Sequence, residues 1–287
     1  MKILVIDTKT PTIKTDANSI KVDDKSIPFH LIESIIVVGK ATLDTNDINR
    51  ITSLDKSLIL INYNFQKSSL ITSSFSKTNE LKLKQYKAIT QNQLNIAKYI
   101  LTQKIISHQK QLNLHDKKID ITIIKEKIQK ADTLETLLGI EGSFSKAYFK
   151  TYFLLFPKVL HKSKRTKRPP KDPVNAMLSF YYMIFYNILT VRLLAFGFES
   201  GLGFLHKPFR SHQALSSDIL EFFRADINEL VYQNFNEKLL KSEDFTKKDG
   251  VYLRYEARKR VWKVFKDFLE QKEPDINKTI TQIRKML

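Results

Sequence analysis

Four side chains in the second half of the sequence can do metal or phosphoryl chemistry: Glu141, His206, Asp218 and Glu221. Glu141 is a carboxylate framed by glycines in an otherwise apolar helical stretch, Leu137-Leu138-Gly139-Ile140-Glu141-Gly142. Glycine costs helix stability, so two of them beside one acid imply that something approaches the backbone closely. His206 ends the turn-forming segment Gly201-Leu202-Gly203-Phe204-Leu205-His206 and can offer a neutral imidazole to a metal or to proton transfer. Asp218 and Glu221, in Ser216-Ser217-Asp218-Ile219-Leu220-Glu221, stand at i and i+3, which places both carboxylates on one helix face. Each has a plainer reading: a glutamate near a turn, a structural histidine, and first-turn acids that complement the helix dipole. Together they supply oxygen and imidazole ligands suited to Mg2+ or Mn2+, the hard ions that phosphodiester transfer needs.

The elements that must position these residues are helices. From about Asn79 onward the apolar residues Leu81, Tyr86, Ile89, Leu94, Ala97, Ile100, Leu101 and Ile105 recur at helical spacing, predicting one or two long amphipathic helices. Further helices are expected over residues 119–130, 134–156, 173–196, 217–234 and 253–271. The third of these opens with Asp172-Pro173, a capping residue followed by proline at the first helical position. It is the most apolar long stretch of the chain, but Asn187 and Arg192 interrupt it, so it reads as a buried core helix and no membrane partner is expected.

The first 75 residues read differently. Short strands at residues 2–6, 12–14, 19–22, 34–38, 57–61 and 69–72 are separated by Asp, Asn, Lys and Ser clusters, with one short helix over 44–54. The expected class is α+β: a small β-rich domain over 1–76, a linker over 77–84, and a larger all-α domain over 85–287 that carries the four candidate residues.

Charge separates the same two parts. Residues 1–80 hold 10 Lys/Arg against 9 Asp/Glu, whereas the rest of the chain carries nearly all of the net charge of +18. That field points to a polyanion as partner. The segment Lys158–Lys171 is the densest source, with seven basic residues, no acid, and Pro169-Pro170 to break any helix. It is expected to be a mobile basic loop tracking DNA phosphates through Lys162, Lys164, Arg165, Lys167 and Arg168. The absence of cysteine excludes thiolate zinc sites and thiol catalysis, fits a cytoplasmic protein, and leaves nitrogen and oxygen as the metal donors. No P-loop, Rossmann glycine fingerprint, His-Glu-x-x-His or Gly-x-Ser-x-Gly sequence is present.

Four ordered segments then carry a family resemblance: 138–149 around Glu141; Arg168-Pro169-Pro170-Lys171-Asp172-Pro173-Val174-Asn175 and its continuation to Phe180; 201–206 ending in His206; and 215–224, which contains Asp218, Glu221 and Arg224. Over these roughly 90 residues the sequence resembles the CRISPR-associated spacer-acquisition integrase/endonuclease family. The resemblance implies that Glu141, His206 and Glu221 bind the metal, with Asp218 at the neighbouring acidic position. Asn175 and Arg224 also match motif positions and are taken as DNA contacts. It implies metal-dependent joining of 3'-hydroxyl ends of short double-stranded DNA into a prokaryotic repeat array, by a homodimer acting with a small CRISPR-associated partner. A stand-alone branched-DNA nuclease and a non-catalytic DNA-binding scaffold are the alternatives.

Overall fold

The computed structural model describes residues 2–73, 79–210 and 212–287. The chain divides into two compact units, Met1–Lys77 with Trp262–Glu273, and Thr78–Val261 with Pro274–Leu287. The first unit has a four-stranded sheet in the order β1 (Ile3–Ile6), β5 (Ser34–Val38), β6 (Ser57–Ile61), β7 (Ser68–Ile71). β1, β5 and β6 run parallel, and β7 closes the edge antiparallel. β5 reads Ser-Ile-Ile-Val-Val and is buried at every position, as a central parallel strand covered on both faces must be. A three-stranded antiparallel meander, β2 (Ile13–Thr15), β3 (Ser19–Val22) and β4 (Lys25–Pro28), packs Ile13 and Ile20 into the same core as Ile35, Val37 and Leu58. Helix α1 (Thr45–Ser53) is capped by Asp44, whose carboxylate accepts from the amides of Asn46 and Asp47, and it adds Ile51 to that core. β4 is a strand beyond those expected: its Lys-Ser-Ile-Pro sequence holds one apolar side chain before the proline, too little alternation to read as a strand.

The second unit contains the helices α2 (Asn79–Gln91), α3 (Gln93–Asn113), α4 (Thr122–Lys130), α5 (Leu134–Tyr152), α6 (Pro173–Ala195) and α7 (Ala214–Asn236). α2 starts inside the stretch expected to be a linker, and residues 77–78 of that stretch lie outside the described residues, as do 74–76 of the β-rich domain. α6 begins as expected, with Asp172 capping the amide of Asn175 and Pro173 in the first turn. It is long and apolar enough to cross a membrane by length and composition, and 67% of its most apolar window is buried inside the protein.

Two features depart from the helical expectation. Phe245–Lys247 and Val251–Leu253 form a hairpin, β8–β9. Helix α8 runs from Tyr255 to Lys285, straight through Pro274. A proline costs an interior helix about 3 kcal/mol, yet Ile276, Ile280 and Ile283 beyond it are all buried at helical spacing, and that burial offsets the break. The helix contributes Trp262 to the first unit, where its indole donates to Asp7 at 2.8 Å.

Candidate active site

The site is built where α3, α5 and α7 meet, since α3 packs against both of the others. Glu141 comes from the first half of α5, Glu221 from the first half of α7, and His206 from the turn that precedes α7. Asp218 and Glu221 share a face as their spacing dictates, but their environments differ completely.

Asp218 is fully buried. Its carboxylate accepts the backbone amides of Phe204 (2.5 Å), Leu205 (3.1 Å) and His206 (2.9 Å), and also His206 Nδ1 at 2.7 Å. It lies in the second turn of α7, and its acceptor capacity is taken up by the 201–206 turn, not by the amides at the start of its own helix. Gly203 makes this possible: a Cβ there would lie 2.8 Å from Asp218 Oδ2 and 2.8 Å from the carbonyl oxygen of His206. With Nδ1 donating to Asp218, the Nε2 lone pair of His206 is directed away from it, the tautomer seen in carboxylate–histidine–metal triads. Nε2 lies 3.8 Å from Glu221 Oε1. Burial depresses the His206 pKa, but the hydrogen bond and charge of Asp218, with the charge of Glu221, outweigh it and raise the value overall.

Glu221 is almost completely buried among cations. Arg224 Nε donates to Oε1 at 2.8 Å, and Lys104 Nζ lies 2.8 Å from Oε2. Oε2 thus has the ammonium as its ion-pair partner but no hydrogen bond of standard geometry. Burial alone would raise the carboxyl pKa, but Arg224, Lys104 and His206 hold it well below the ordinary carboxylate range. Lys104 also donates to Glu141, which accepts from Ser145 Oγ at 2.8 Å. Glu141 is on the open side of the site, with 25% of its side chain exposed. Burial pushes its pKa up, and the charge and hydrogen bond of Lys104 outweigh that and hold it below the ordinary value.

Among the described residues no three His, Asp or Glu side chains stand close enough to hold one ion, and Lys104 lies between two of the three expected ligands. The donor set fits a hard divalent cation in other respects. Two carboxylates already face one cation, the imidazole turns its lone pair away from Asp218, and a buried carboxylate oxygen lacks a directed partner.

A second layer supports the site. The Arg224 guanidinium lies over the Tyr182 ring at 4.5 Å, and the Tyr182 hydroxyl donates to Asn228 Oδ1. Asn228 Nδ2 donates to Tyr148 at 2.8 Å, and Tyr148 donates to Gln111 at 2.8 Å. Beneath Lys104 lies His108, buried, its Nδ1–H donating to the Lys104 carbonyl at 2.7 Å. Burial, aided by the Lys104 charge, lowers its pKa to about 3. The unfolded state therefore takes up a proton below pH ~6.5 that the folded state refuses. Stability is complete above that pH and is expected to fall as pH drops towards 3, by up to ~1.4 kcal/mol per pH unit for this group. Thermal melts between pH 8 and 4.5 should show a shallower acid decline in His108→Gln than in wild type; parallel curves would contradict it.

The basic segment 158–171 is pinned where a mobile loop was expected. Asn175 is fully buried; its side chain donates to the Lys164 carbonyl (2.8 Å) and to Asp172 (2.7 Å), and accepts from Arg165 and the Thr166 amide at 3.0 Å each. Arg165 turns inward, reaching Ser179 at 3.1 Å. Lys162, Lys164, Lys167 and Arg168 face solvent. The glycines flanking Glu141 face open space: a Cβ at Gly139 or Gly142 would meet nothing within 4 Å, so no other described segment of the protein makes the close approach expected there.

Sequence reasoning missed Lys104. Its signal was a lysine on the apolar face of α3, spaced with Ala97, Ile100, Leu101 and Ile105, a position where an uncompensated charge would not be buried.

Residues 4–267 match the family described as CRISPR associated protein Cas1. The chain is 29% identical to CRISPR-associated endonuclease Cas1 1 of Thermodesulfovibrio yellowstonii, across 94% of this chain and 92% of that one. Its fold is that of a CAS1 protein from Thermotoga maritima, with a TM-score of 0.92, 21% identity, and 99% and 96% of the two chains covered. It is also similar to a casposase solved bound to integration product, with a TM-score of 0.83, 20% identity, and 94% and 83% covered. With the family match extending over nearly the whole length, this chain belongs to the Cas1 family of CRISPR-associated endonucleases.

Proposed function

We propose that the protein joins the 3'-hydroxyl ends of short double-stranded DNA into a repeat array by transesterification. The observation that carries this reading is the convergence of Glu141 and Glu221 on one cation, beside an imidazole whose tautomer Asp218 sets. A Mg2+ or Mn2+ ion held by Glu141, His206 and Glu221 would supply Lewis-acid charge at the target phosphate. Asp218 holds His206 in register and Arg224 orients Glu221. The exposed Lys162, Lys164, Lys167 and Arg168 bind the phosphate backbone without reading bases, while Arg165 and Asn175 hold the segment that presents them. As the incoming 3'-oxygen bonds to the target phosphorus, the target strand's own P–O3' bond breaks and leaves a free 3'-hydroxyl, so one phosphodiester replaces another and no nucleotide triphosphate is consumed. The casposase captured with an integration product supports this chemistry on the same fold. A homodimer with a small CRISPR-associated partner would set the spacing between two such sites.

The test combines the protein and its partner with short duplex DNA bearing free 3' ends and a repeat-containing plasmid. Joining is expected with Mg2+ or Mn2+, and to fall by a factor on the order of 10³ or more in Glu141→Ala. Undiminished joining by that variant would remove the metal-centre assignment. Strand cleavage that needs no 3'-hydroxyl donor would favour a nuclease instead.

A further inference from the structure

We propose that Lys104 is a built-in counter-ion, which holds Glu141 and Glu221 together in the metal-free protein and competes with a divalent cation for them. The inference rests on the reading of Glu141, His206 and Glu221 as a metal centre.

Lys104 is 3% exposed and emerges from the apolar face of α3. A buried lysine is tolerated only with charge partners, and this one has two, supplied by two other helices. Both carboxylates in turn depend on it. Glu221 has Arg224 for one oxygen, but its other oxygen faces the lysine; Glu141 has only Lys104 and the Ser145 hydroxyl among the partners shown. Without a cation between them, two carboxylates would face each other at the meeting point of α3, α5 and α7.

One ammonium does this job incompletely. Arg224 already pairs with one oxygen of Glu221, but Lys104 must serve the other oxygen and Glu141 together, and it leaves Glu221 Oε2 without a hydrogen bond of standard geometry. A divalent ion would bring one more positive charge than the ammonium and accept donation from both carboxylates. The lysine stem is a flexible four-carbon chain, so Nζ can withdraw by a few ångströms without α3 moving. The displaced ammonium stays beside the carboxylates, where a phosphate can meet it.

A purely structural ion pair and a competing counter-ion make opposite predictions. If Lys104 only supports the site, its loss disorders both carboxylates and weakens metal binding. If it competes, its loss removes repulsion against the incoming ion and strengthens metal binding.

The experiment is calorimetric titration of the full-length protein with Mn2+, paired with thermal melts in EDTA and in saturating Mn2+. It uses wild type, Lys104→Met, Lys104→Gln and Glu141→Ala. Lys104→Met and Lys104→Gln are expected to bind Mn2+ about tenfold more tightly than wild type or better. They should also melt about 5 °C or more lower in EDTA and recover most of that loss in Mn2+. The glutamine variant keeps a hydrogen-bond donor, so it reports even where the methionine variant does not fold without metal. Equal or weaker Mn2+ binding by the Lys104 variants, with wild type binding and Glu141→Ala not binding, overturns the counter-ion role and leaves the metal centre intact. Failure of wild type and the Lys104 variants alike to bind Mn2+ overturns the metal centre itself.

Discussion

Replacing Glu221 by alanine is expected to lower folding stability by about 3–5 kcal/mol, the cost of removing one partner from a buried ion cluster. Lys104 would then share its buried charge with Glu141 alone, and Arg224 would be left with the Tyr182 ring and hydroxyl. Glu141 offers the contrast. Its side chain is a quarter exposed, and its removal leaves Lys104 still paired with Glu221. Glu141→Ala should therefore cost only about 1 kcal/mol, in the range of a partly solvated pair. Both variants are expected to lose strand joining. Urea denaturation of the two, in EDTA, separates the structural carboxylate from the open one. Equal losses of stability would mean that the burial difference between them does not govern their roles.

Asp218→Ala is expected to be as damaging although the residue touches neither metal nor DNA on this reading. The substitution strips three backbone amides and His206 Nδ1 of their acceptor at a fully buried position. Each buried donor left unpaired costs about 1–3 kcal/mol, so a loss of at least ~3 kcal/mol is expected after local relaxation. Mn2+ affinity should fall by about 10- to 100-fold, the usual consequence of removing the carboxylate behind a metal-binding histidine. Nitrogen NMR of His206 supplies a readout that simple destabilisation would not move. Wild type should show a proton on Nδ1, and Asp218→Asn, which retains an acceptor at that point, should preserve part of this population while Asp218→Ala does not. Wild-type Mn2+ affinity in folded Asp218→Ala would show that the imidazole needs no such support.

Both expected results concern residues that the sequence ranked only by resemblance. Their spacing showed that Asp218 and Glu221 share a helix face, and that much is a property of any helix. It could not show that one carboxylate points into a backbone turn and the other into a cation cluster. That difference arises because Gly203 lets the 201–206 turn press against α7, a contact between segments that periodicity does not encode. The basic segment illustrates the same limit. Its charge was plain from composition, but whether it would be loose or tethered depended on Asn175, which looks like any polar residue in the first turn of a helix until its four hydrogen bonds are seen.

Along the chain, the local signals that worked were those with a local physical cause. Asp172-Pro173 started α6 because capping and a fixed φ act within one turn. The run Ser34–Val38 formed a strand because five consecutive buried apolar and small positions suit a central strand paired on both edges and covered on both faces. α8 continues past the expected end at residue 271 and through Pro274 because the proline's local cost is outweighed by Ile276, Ile280 and Ile283, whose burial is a tertiary fact.

By itself, then, the sequence determined an α+β chain with its positive charge in the helical part, and it singled out Glu141, His206, Asp218 and Glu221 as the residues able to do hard-metal chemistry. Helical period and net charge are enough for the first, since each is carried by the chain locally; residue type made the four residues candidates, and the ordered motifs that resemble a known family ranked them as a site. Only the tertiary structure decided that Asp218 orients His206 and that Lys104 stands between Glu141 and Glu221. A lysine is placed between two carboxylates by the packing of three helices, and no single helix specifies where the other two will bring their charges.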